Sequence, residues 1–304
     1  MRSPWWFITG GAALTCAALF FWASTPQRID GAAIPAHQPD LQNGEVLFHA
    51  GGCISCHGPA KGATGRDPAL PSGGAPLETP LGVLYPPNIT ADQETGIGTW
   101  SDADFVNALK RGVSPDGRNY IPAFPYTSYR HMTVADLLDL KAYLFSLTPV
   151  HAENPPVGLP LPWLTRRGIG VWKRLALTGT ATEETSFLDP KRTPTWNRGA
   201  YLVNGPGHCA ECHTPRDLLM IPETALAFTG GPHPSGKGKV PSLHGLIRRG
   251  DFTDVNDIAT ALKEGEDGGY DNLTYGGMKD VQHNIAQLPD ADIRAIATYL
   301  STLK

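Results

Sequence analysis

The pattern Cys-x-x-Cys-His occurs twice in this chain and constrains the fold more than any other feature. One copy spans residues 53–57 and the other spans residues 209–213. Side chains three and four positions apart share one face of a helical turn, so two thiols and an imidazole can converge on one flat group. This arrangement is typical of covalent haem attachment, in which the thiols form thioethers and the histidine binds the iron.

The sequence therefore predicts a dihaem c-type cytochrome with two covalently bound haem c groups. The expected attachment residues are Cys53, Cys56 and His57 for the first haem and Cys209, Cys212 and His213 for the second, each histidine being an iron ligand. A zinc ribbon fits poorly, because it places its cysteine pairs about 15–20 residues apart. A thioredoxin-type dithiol also fits poorly, because neither run has alternating strand and helix signals around it.

Length and charge limit the remaining classes of protein. A chain of 304 residues suits two domains that each bury one core. The formal net charge is −4 and no basic block occurs, so nucleic acid is not an expected partner. With 34 glycines and 28 prolines the chain is rich in loops, but it stays below the content that indicates disorder.

The second half of the chain repeats the first. Tyr143-Leu144 recurs as Tyr299-Leu300 at the same offset that relates the two haem runs. Each half is predicted to contain a first helix, a haem run, a middle helix, a ligand loop and a closing helix, without strands. The predicted fold class is all-α, with two tandem class I-like cytochrome c domains behind an N-terminal transmembrane helix.

Two helix starts carry capping patterns. Ser101 with Asp104 predicts the start of a helix that ends at Gly112. Thr133 with Asp136 predicts the start of the closing helix of the first half. Both helices are expected to pack an apolar face onto the haem domain.

The N-terminal segment is expected to be a membrane anchor. Residues 5–23 carry no charge and approach the roughly 20 apolar residues that cross a bilayer. A cleaved signal peptide is the alternative, but Phe20, Phe21 and Trp22 stand where a signal peptidase prefers small residues. With Arg2 inside, a single span in the cytoplasmic membrane would leave the remainder facing the periplasm. Cys16 is expected to pack within this helix.

The chain divides into five predicted regions. They are a transmembrane anchor or signal segment (1–24), a linker (25–40), a first cytochrome c domain (41–150), an interdomain connector (151–195) and a second cytochrome c domain (196–304). Residues 163–177 of the connector are amphipathic, basic and rich in tryptophan. They are expected to form a strap across the haem domains, and a helix on the membrane or a partner surface is the alternative.

Several further segments support a resemblance to a known family. They are residues 70–74, 87–90, 95–98, 100–105, 125–129, 198–203 and 214–216. Together with the haem runs they resemble the cytochrome c subunits of bacterial membrane-bound dehydrogenases, such as those that serve alcohol and gluconate dehydrogenases. The resemblance covers residues 41–304. It implies a non-catalytic subunit that passes electrons from a periplasmic or membrane-bound dehydrogenase toward quinone or a terminal oxidase.

Methionines are the expected sixth ligands, because methionine opposite histidine suits an electron-transfer haem. Met278 lies in a glycine-rich loop ahead of the last helix and is predicted to bind the iron of the second haem. Met220 follows His213 too closely and is expected to pack in the core.

The first haem has less clear candidates. Members of the family often carry methionine at the position of Phe124. Met132 is the predicted iron ligand, and His131 or an open, water-bound site are the alternatives. An open first haem would suit an enzyme instead, such as a dihaem peroxidase or a thiosulfate-oxidising cytochrome. A scaffold whose haems only hold the fold is a third possibility.

Overall fold

The computed structural model describes residues 5–79, 82–156, 158–159, 161–177, 187–234, 238–265 and 277–304. Most of the regular structure in these residues is helical. The helices are α1 (Trp5–Ser24), α2 (Leu41–Ala50), α3 (Cys53–His57), α4 (Asp102–Arg111), α5 (Tyr126–Tyr129), α6 (Val134–Ser146), α7 (Pro162–Ala176), α8 (Pro194–Asn204), α9 (Ala210–His213), α10 (Val255–Glu264), α11 (Gly277–Ile285) and α12 (Asp290–Leu300).

Short strands occur in the loop that follows each haem run. They are β1 (Leu77–Thr79), β2 (Gly82–Leu84), β3 (Gly231–Pro232) and β4 (Lys239–Val240). β1 pairs with β2, and β3 with β4, in two antiparallel hairpins. The expectation that strands are missing was therefore wrong. Strands of two or three residues cannot display the alternation of apolar and polar residues by which a strand is predicted.

The two halves have the same helix packing. In the first half α2 and α4 pack on α6, and in the second half α8 and α10 pack on α12. A glycine stands at each main crossing, since a Cβ on Gly44 would clash with the carbonyl of Asp139 and one on Gly199 with that of Ala295. The sequence repeat thus corresponds to the same close helix crossing in each half, with a glycine at the point of contact.

The predicted helix caps are confirmed. Ser101 and Asp104 form a complete capping box at the start of α4, and Gly112 ends that helix with a φ of 58°. The Thr133 hydroxyl accepts a hydrogen bond from the Asp136 amide at the start of α6. These contacts depend on neighbours within three residues, which is why local sequence sufficed to predict them.

The connector helix α7 contacts both halves, as expected of a strap. Lys173 donates to the Gly112 carbonyl of the first half at 2.5 Å. Trp172 Nε1 donates to the Leu219 carbonyl of the second half at 2.7 Å. α7 also packs on the end of α1, where the Phe21 and Trp163 rings lie 6.3 Å apart.

The predicted transmembrane helix is not confirmed. The segment does form one helix, α1, of 20 residues. Within the described part of the chain, no helix has the combination of length and apolar character that spanning a membrane requires.

Candidate haem-binding sites

Each Cys-x-x-Cys-His run forms a short helical turn. The first run is α3, and the second contains α9 with Cys209 immediately before it. Cys53 and Cys209 are partly buried, whereas Cys56 and Cys212 are exposed, and all four are free thiols. Burial raises the pKa of Cys53 and of Cys209 to about 12, so both thiols are neutral at physiological pH.

A backbone carbonyl holds each haem-run histidine in one tautomer. His57 Nδ1 lies 2.8 Å from the Pro87 carbonyl oxygen, and His213 Nδ1 lies 2.8 Å from the Pro241 carbonyl oxygen. A carbonyl only accepts hydrogen bonds, so Nδ1 carries the proton and Nε2 keeps its lone pair for a metal. Burial also lowers the pKa of both histidines, which favours the neutral imidazole that ligates iron.

A glycine behind each run brings the proline carbonyl into place. The Gly73 amide donates to the His57 carbonyl at 2.6 Å, and the Gly230 amide donates to the His213 carbonyl at 2.8 Å. Both glycines have a φ of 75°. A Cβ on Gly73 would lie 2.5 Å from the Pro87 carbonyl carbon, and one on Gly230 would lie 2.6 Å from that of Pro241. We call each histidine with its glycine and proline a histidine clamp.

Sequence patterns indicated no role for the glycines and prolines of the two histidine clamps. Residues 70–74 and 87–90 contributed only to a family resemblance. The signal that could have found the clamps was the repeat itself, since a Gly-Gly pair and a later proline follow both haem runs.

The donor set of each run fits haem c. Two thiols and an imidazole with a free Nε2 are the groups that covalent haem attachment needs. In the part of the chain that the structure describes, no group of three or more His, Cys, Asp or Glu side chains is placed to hold a metal ion.

Each haem run is hydrogen-bonded to the opposite half of the chain. Ser55, inside the first run, accepts a hydrogen bond from Asn284 Nδ2 of the second half at 2.7 Å. Glu211, inside the second run, accepts one from Ser128 Oγ of the first half at 2.9 Å and another from Thr127. Ser55 corresponds to Glu211 in the repeat, and Ser128 corresponds to Asn284. These contacts, which we call the run-to-run contacts, therefore follow a pseudo-two-fold arrangement.

Further polar groups reinforce the run-to-run contacts. Arg216 pairs with Glu211 at 2.5 Å, and both side chains are 13% exposed. His208 Nε2 lies 3.3 Å from the Gly51 carbonyl, next to the first run. Removal of one partner from a buried, hydrogen-bonded charge pair is strongly destabilising. These contacts therefore hold each haem run against the opposite half of the chain.

The predicted sixth ligand of the second haem lies at the start of a helix. Met278 is the second residue of α11 and is half-buried. It was expected in a glycine-rich loop and instead belongs to a helix, while residues 266–276 lie outside the described residues. Ligation by Met278 stays a prediction. Met220, expected in the core, is instead 43% exposed with a φ of 60°.

The candidates at the first haem occupy different surroundings. Met132 is 1% exposed and belongs to the apolar core of the first half. Its Cγ would lie 3.6 Å from a Cβ added to Gly205 of the second half. The His131 ring packs against Phe187 at 5.6 Å. Phe124 lies in an aromatic cluster, with its ring 5.6 Å from that of Tyr129. Ligation by Met132 or His131 also stays a prediction.

Comparison with known proteins matches both halves to one family. The cytochrome c family model matches residues 41–148 and 197–304. A diheme cytochrome c-type protein of Cereibacter sphaeroides is 39% identical over 295 residues, which are 96% of each chain.

Cytochrome subunits of dehydrogenases are also similar. The fructose dehydrogenase cytochrome subunit of Gluconobacter japonicus is 34% identical over 272 residues, or 88% of this chain and 53% of that subunit. The gluconate 2-dehydrogenase cytochrome c subunit of Pantoea cypripedii is 35% identical over 276 residues, or 86% of this chain and 59% of that subunit. The chain thus spans little more than half of these two subunits.

The family matches and the histidine clamps agree on the cofactor. Each matched segment contains one complete haem run, so the protein carries two covalently bound haem c groups. The expected resemblance to dihaem and dehydrogenase-associated cytochromes is confirmed. With two tandem, mostly helical haem domains, this chain belongs to the cytochrome c family.

Proposed function

We propose that this protein is a dihaem electron carrier that accepts electrons from a partner dehydrogenase and passes them to quinone or a terminal oxidase of the respiratory chain. It makes and breaks no substrate bonds in this role. The observation that carries the proposal is the pseudo-two-fold set of run-to-run contacts, through which each haem run is hydrogen-bonded to the opposite half of the chain. Such contacts would hold the two haem runs in a fixed relation, which electron exchange within one chain needs.

The residues of the chain supply orientation and electrostatics, while haem supplies one-electron chemistry when bound. The histidine clamps fix which imidazole nitrogen faces the metal. The run-to-run contacts hold each haem run against the opposite half of the chain. The dehydrogenase partner is supported by the similarity to cytochrome subunits of fructose and gluconate dehydrogenases.

We further propose that the haem domains face the periplasm and that the N-terminal segment, residues 1–24, attaches them to the cytoplasmic membrane as a single-pass anchor. Support comes from the charge-free stretch 5–23 and from the exposed apolar side chains of Leu14, Leu19, Phe21 and Trp22. Alkaline extraction of membranes and N-terminal sequencing of the mature protein test this placement. Release by alkali, or a mature start near Thr25, would replace the anchor with a cleaved signal peptide.

The electron-carrier proposal is tested by following haem reduction after the protein is mixed with a dehydrogenase. Holoprotein produced with the c-type haem attachment machinery is mixed in a stopped-flow instrument with a dehydrogenase encoded beside its gene and with that enzyme's substrate. Rapid reduction of both haems is expected. A variant with Cys209→Ala and Cys212→Ala serves as the control, because it keeps only the first attachment site. Failure of every co-purifying dehydrogenase to reduce the holoprotein would contradict the proposal.

An enzyme that uses the first haem is the second candidate function. It is favoured by Phe124, which places an aromatic cluster where methionine is common in the family. The purified holoprotein is assayed alone for turnover of hydrogen peroxide and of thiosulfate. Turnover of either substrate would support this candidate and replace the carrier role.

A further inference from the structure

A basic cavity lies away from both haem runs. It has a volume of about 260 Å³ and is formed where the segment after α1 and the end of α4 meet α7. Its lining includes Arg111, Lys173 and Arg174 together with the polar residues Thr25 and Asn119. It contains no residue of either haem run or of either histidine clamp.

No described lining residue compensates the positive charge of this cavity. Three of the described lining residues are cationic and none of them is acidic. Arg111 Nε is buried and has no hydrogen-bond partner. Burying an arginine nitrogen without an acceptor is costly, so the arrangement favours a ligand that supplies the acceptor.

The three cations play different parts. Lys173 Nζ already donates to the carbonyls of Arg111 and Gly112, at 2.9 and 2.5 Å, and to Asn119 Oδ1 at 3.0 Å. It therefore offers no vacant donor, and because burial lowers its pKa to about 7 it carries only part of a positive charge near neutral pH. Burial also lowers the pKa of Arg111. An anion in the cavity would stabilise both cations.

The chemistry and the size of the cavity indicate which kind of anion it binds. Guanidinium groups match the geometry of phosphate oxygens. A volume of about 260 Å³ is just below the roughly 300 Å³ at which sites for drug-sized molecules begin, so the ligand is a small group.

The position of the cavity indicates a lipid as the source of that group. Arg174 lies over the exposed Trp22 ring at the end of α1, 4.8 Å from its centroid. Tryptophan and arginine together are typical of the headgroup level of a bilayer.

We propose that this cavity binds the phosphate group of an anionic ligand through Arg111 and Arg174, and that the ligand is an anionic phospholipid headgroup. The site goes beyond electron transfer, and only the lipid as source rests on the proposed membrane attachment.

The test uses holoprotein in neutral dodecyl maltoside micelles and isothermal titration calorimetry. The probes are dihexanoylphosphatidylglycerol, the zwitterionic dihexanoylphosphatidylcholine and sodium phosphate. Arg111→Gln and Arg174→Gln are the cavity variants. Arg192→Gln is the matched control, because it makes the same change at an exposed arginine of the connector, outside the cavity lining. Haem absorbance and the thermal midpoint confirm that each variant is folded.

Phosphatidylglycerol is expected to bind, with phosphatidylcholine weaker by about tenfold or more. Each cavity variant should lose about tenfold in affinity, since a hydrogen bond to a charged group is worth about that factor, and Arg192→Gln should lose none. Binding of sodium phosphate alone, with the same dependence on the variants, would support the phosphate site and assign it to free phosphate. Binding of neither anion, or equal binding by folded cavity variants, would overturn the proposal while leaving the electron-transfer assay unaffected.

Discussion

At the scale of single residues, one proline carbonyl decides which nitrogen of each haem-run histidine is available to a metal. Pro87 and Pro241 act on His57 and His213 at the same distance of 2.8 Å. The tautomer is therefore set by the backbone of a distant loop, and it does not depend on a carboxylate whose charge would alter the electronics of the iron.

Replacement of Met278 by alanine should remove the sixth ligand of the second haem. The reduction potential of one haem is expected to fall, because methionine ligation raises it, and that haem should become open to carbon monoxide. Redox titration and spectra of the reduced, carbon monoxide-treated holoprotein measure both effects. Met220→Ala is the control, because Met220 is an exposed methionine in another part of the same half and should change neither property. Identical behaviour of the two variants would remove Met278 from the ligand set.

Replacement of Met132 by alanine separates ligation from packing. Its counterpart in the repeat is Leu288, which is 2% exposed and cannot bind iron. Both Met132→Ala and Leu288→Ala should destabilise the fold by about 2–5 kcal/mol, as truncations of buried side chains do. Only Met132→Ala is expected to change the spectrum of the first haem. An unchanged spectrum beside a similar loss of stability would make Met132 a core residue alone.

At the scale of elements, the loop that follows each haem run needs a glycine where its backbone comes closest to the proline carbonyl. Gly73→Ala should push the Pro87 carbonyl away from His57, since the new Cβ would stand 2.5 Å from the Pro87 carbonyl carbon. The left-handed backbone alone is expected to cost about 1–2 kcal/mol, and the clash should add about 1–3 kcal/mol.

A matched variant isolates the clash at Gly73. Gly62 has a similar φ of 81° but has no atom within 4 Å of its Cβ position, so Gly62→Ala carries only the backbone cost. Chemical unfolding and the spectrum of the first haem measure the difference. Equal stability of the two variants, with unchanged spectra, would contradict the histidine clamp.

Elements that depend on neighbouring residues were predicted from the sequence, whereas the histidine clamps were not. The caps of α4 and α6 involve residues three positions apart, and both were predicted. His57 instead meets Pro87 through a backbone carbonyl, which no side-chain pattern marks. The β1–β2 hairpin was missed because its strands are too short to alternate. The haem runs themselves were readable because covalent chemistry needs fixed residue types at fixed spacing.

At the scale of the whole molecule, the duplicated halves meet through corresponding residues. The pair Ser55 and Asn284 is related by the repeat to the pair Glu211 and Ser128. Only the second of these pairs carries a charge, and Glu211 also holds Arg216. The two pairs therefore occupy equivalent positions but differ in strength. A single substitution at Glu211 should weaken the contact between the halves most.

Glu211→Ala should weaken the contact between the halves and slow electron exchange between the haems. It removes the acceptor of Ser128 and Thr127 and leaves Arg216, which is 13% exposed, without its carboxylate. Loss of hydrogen bonds to a charged group is expected to cost about 1.5–3 kcal/mol. Glu223→Ala is the control, because Glu223 is an exposed glutamate of the same half. Stopped-flow reduction should become biphasic in Glu211→Ala alone; a single phase in both variants, with equal stability, would show that Glu211 does not hold the haem runs together.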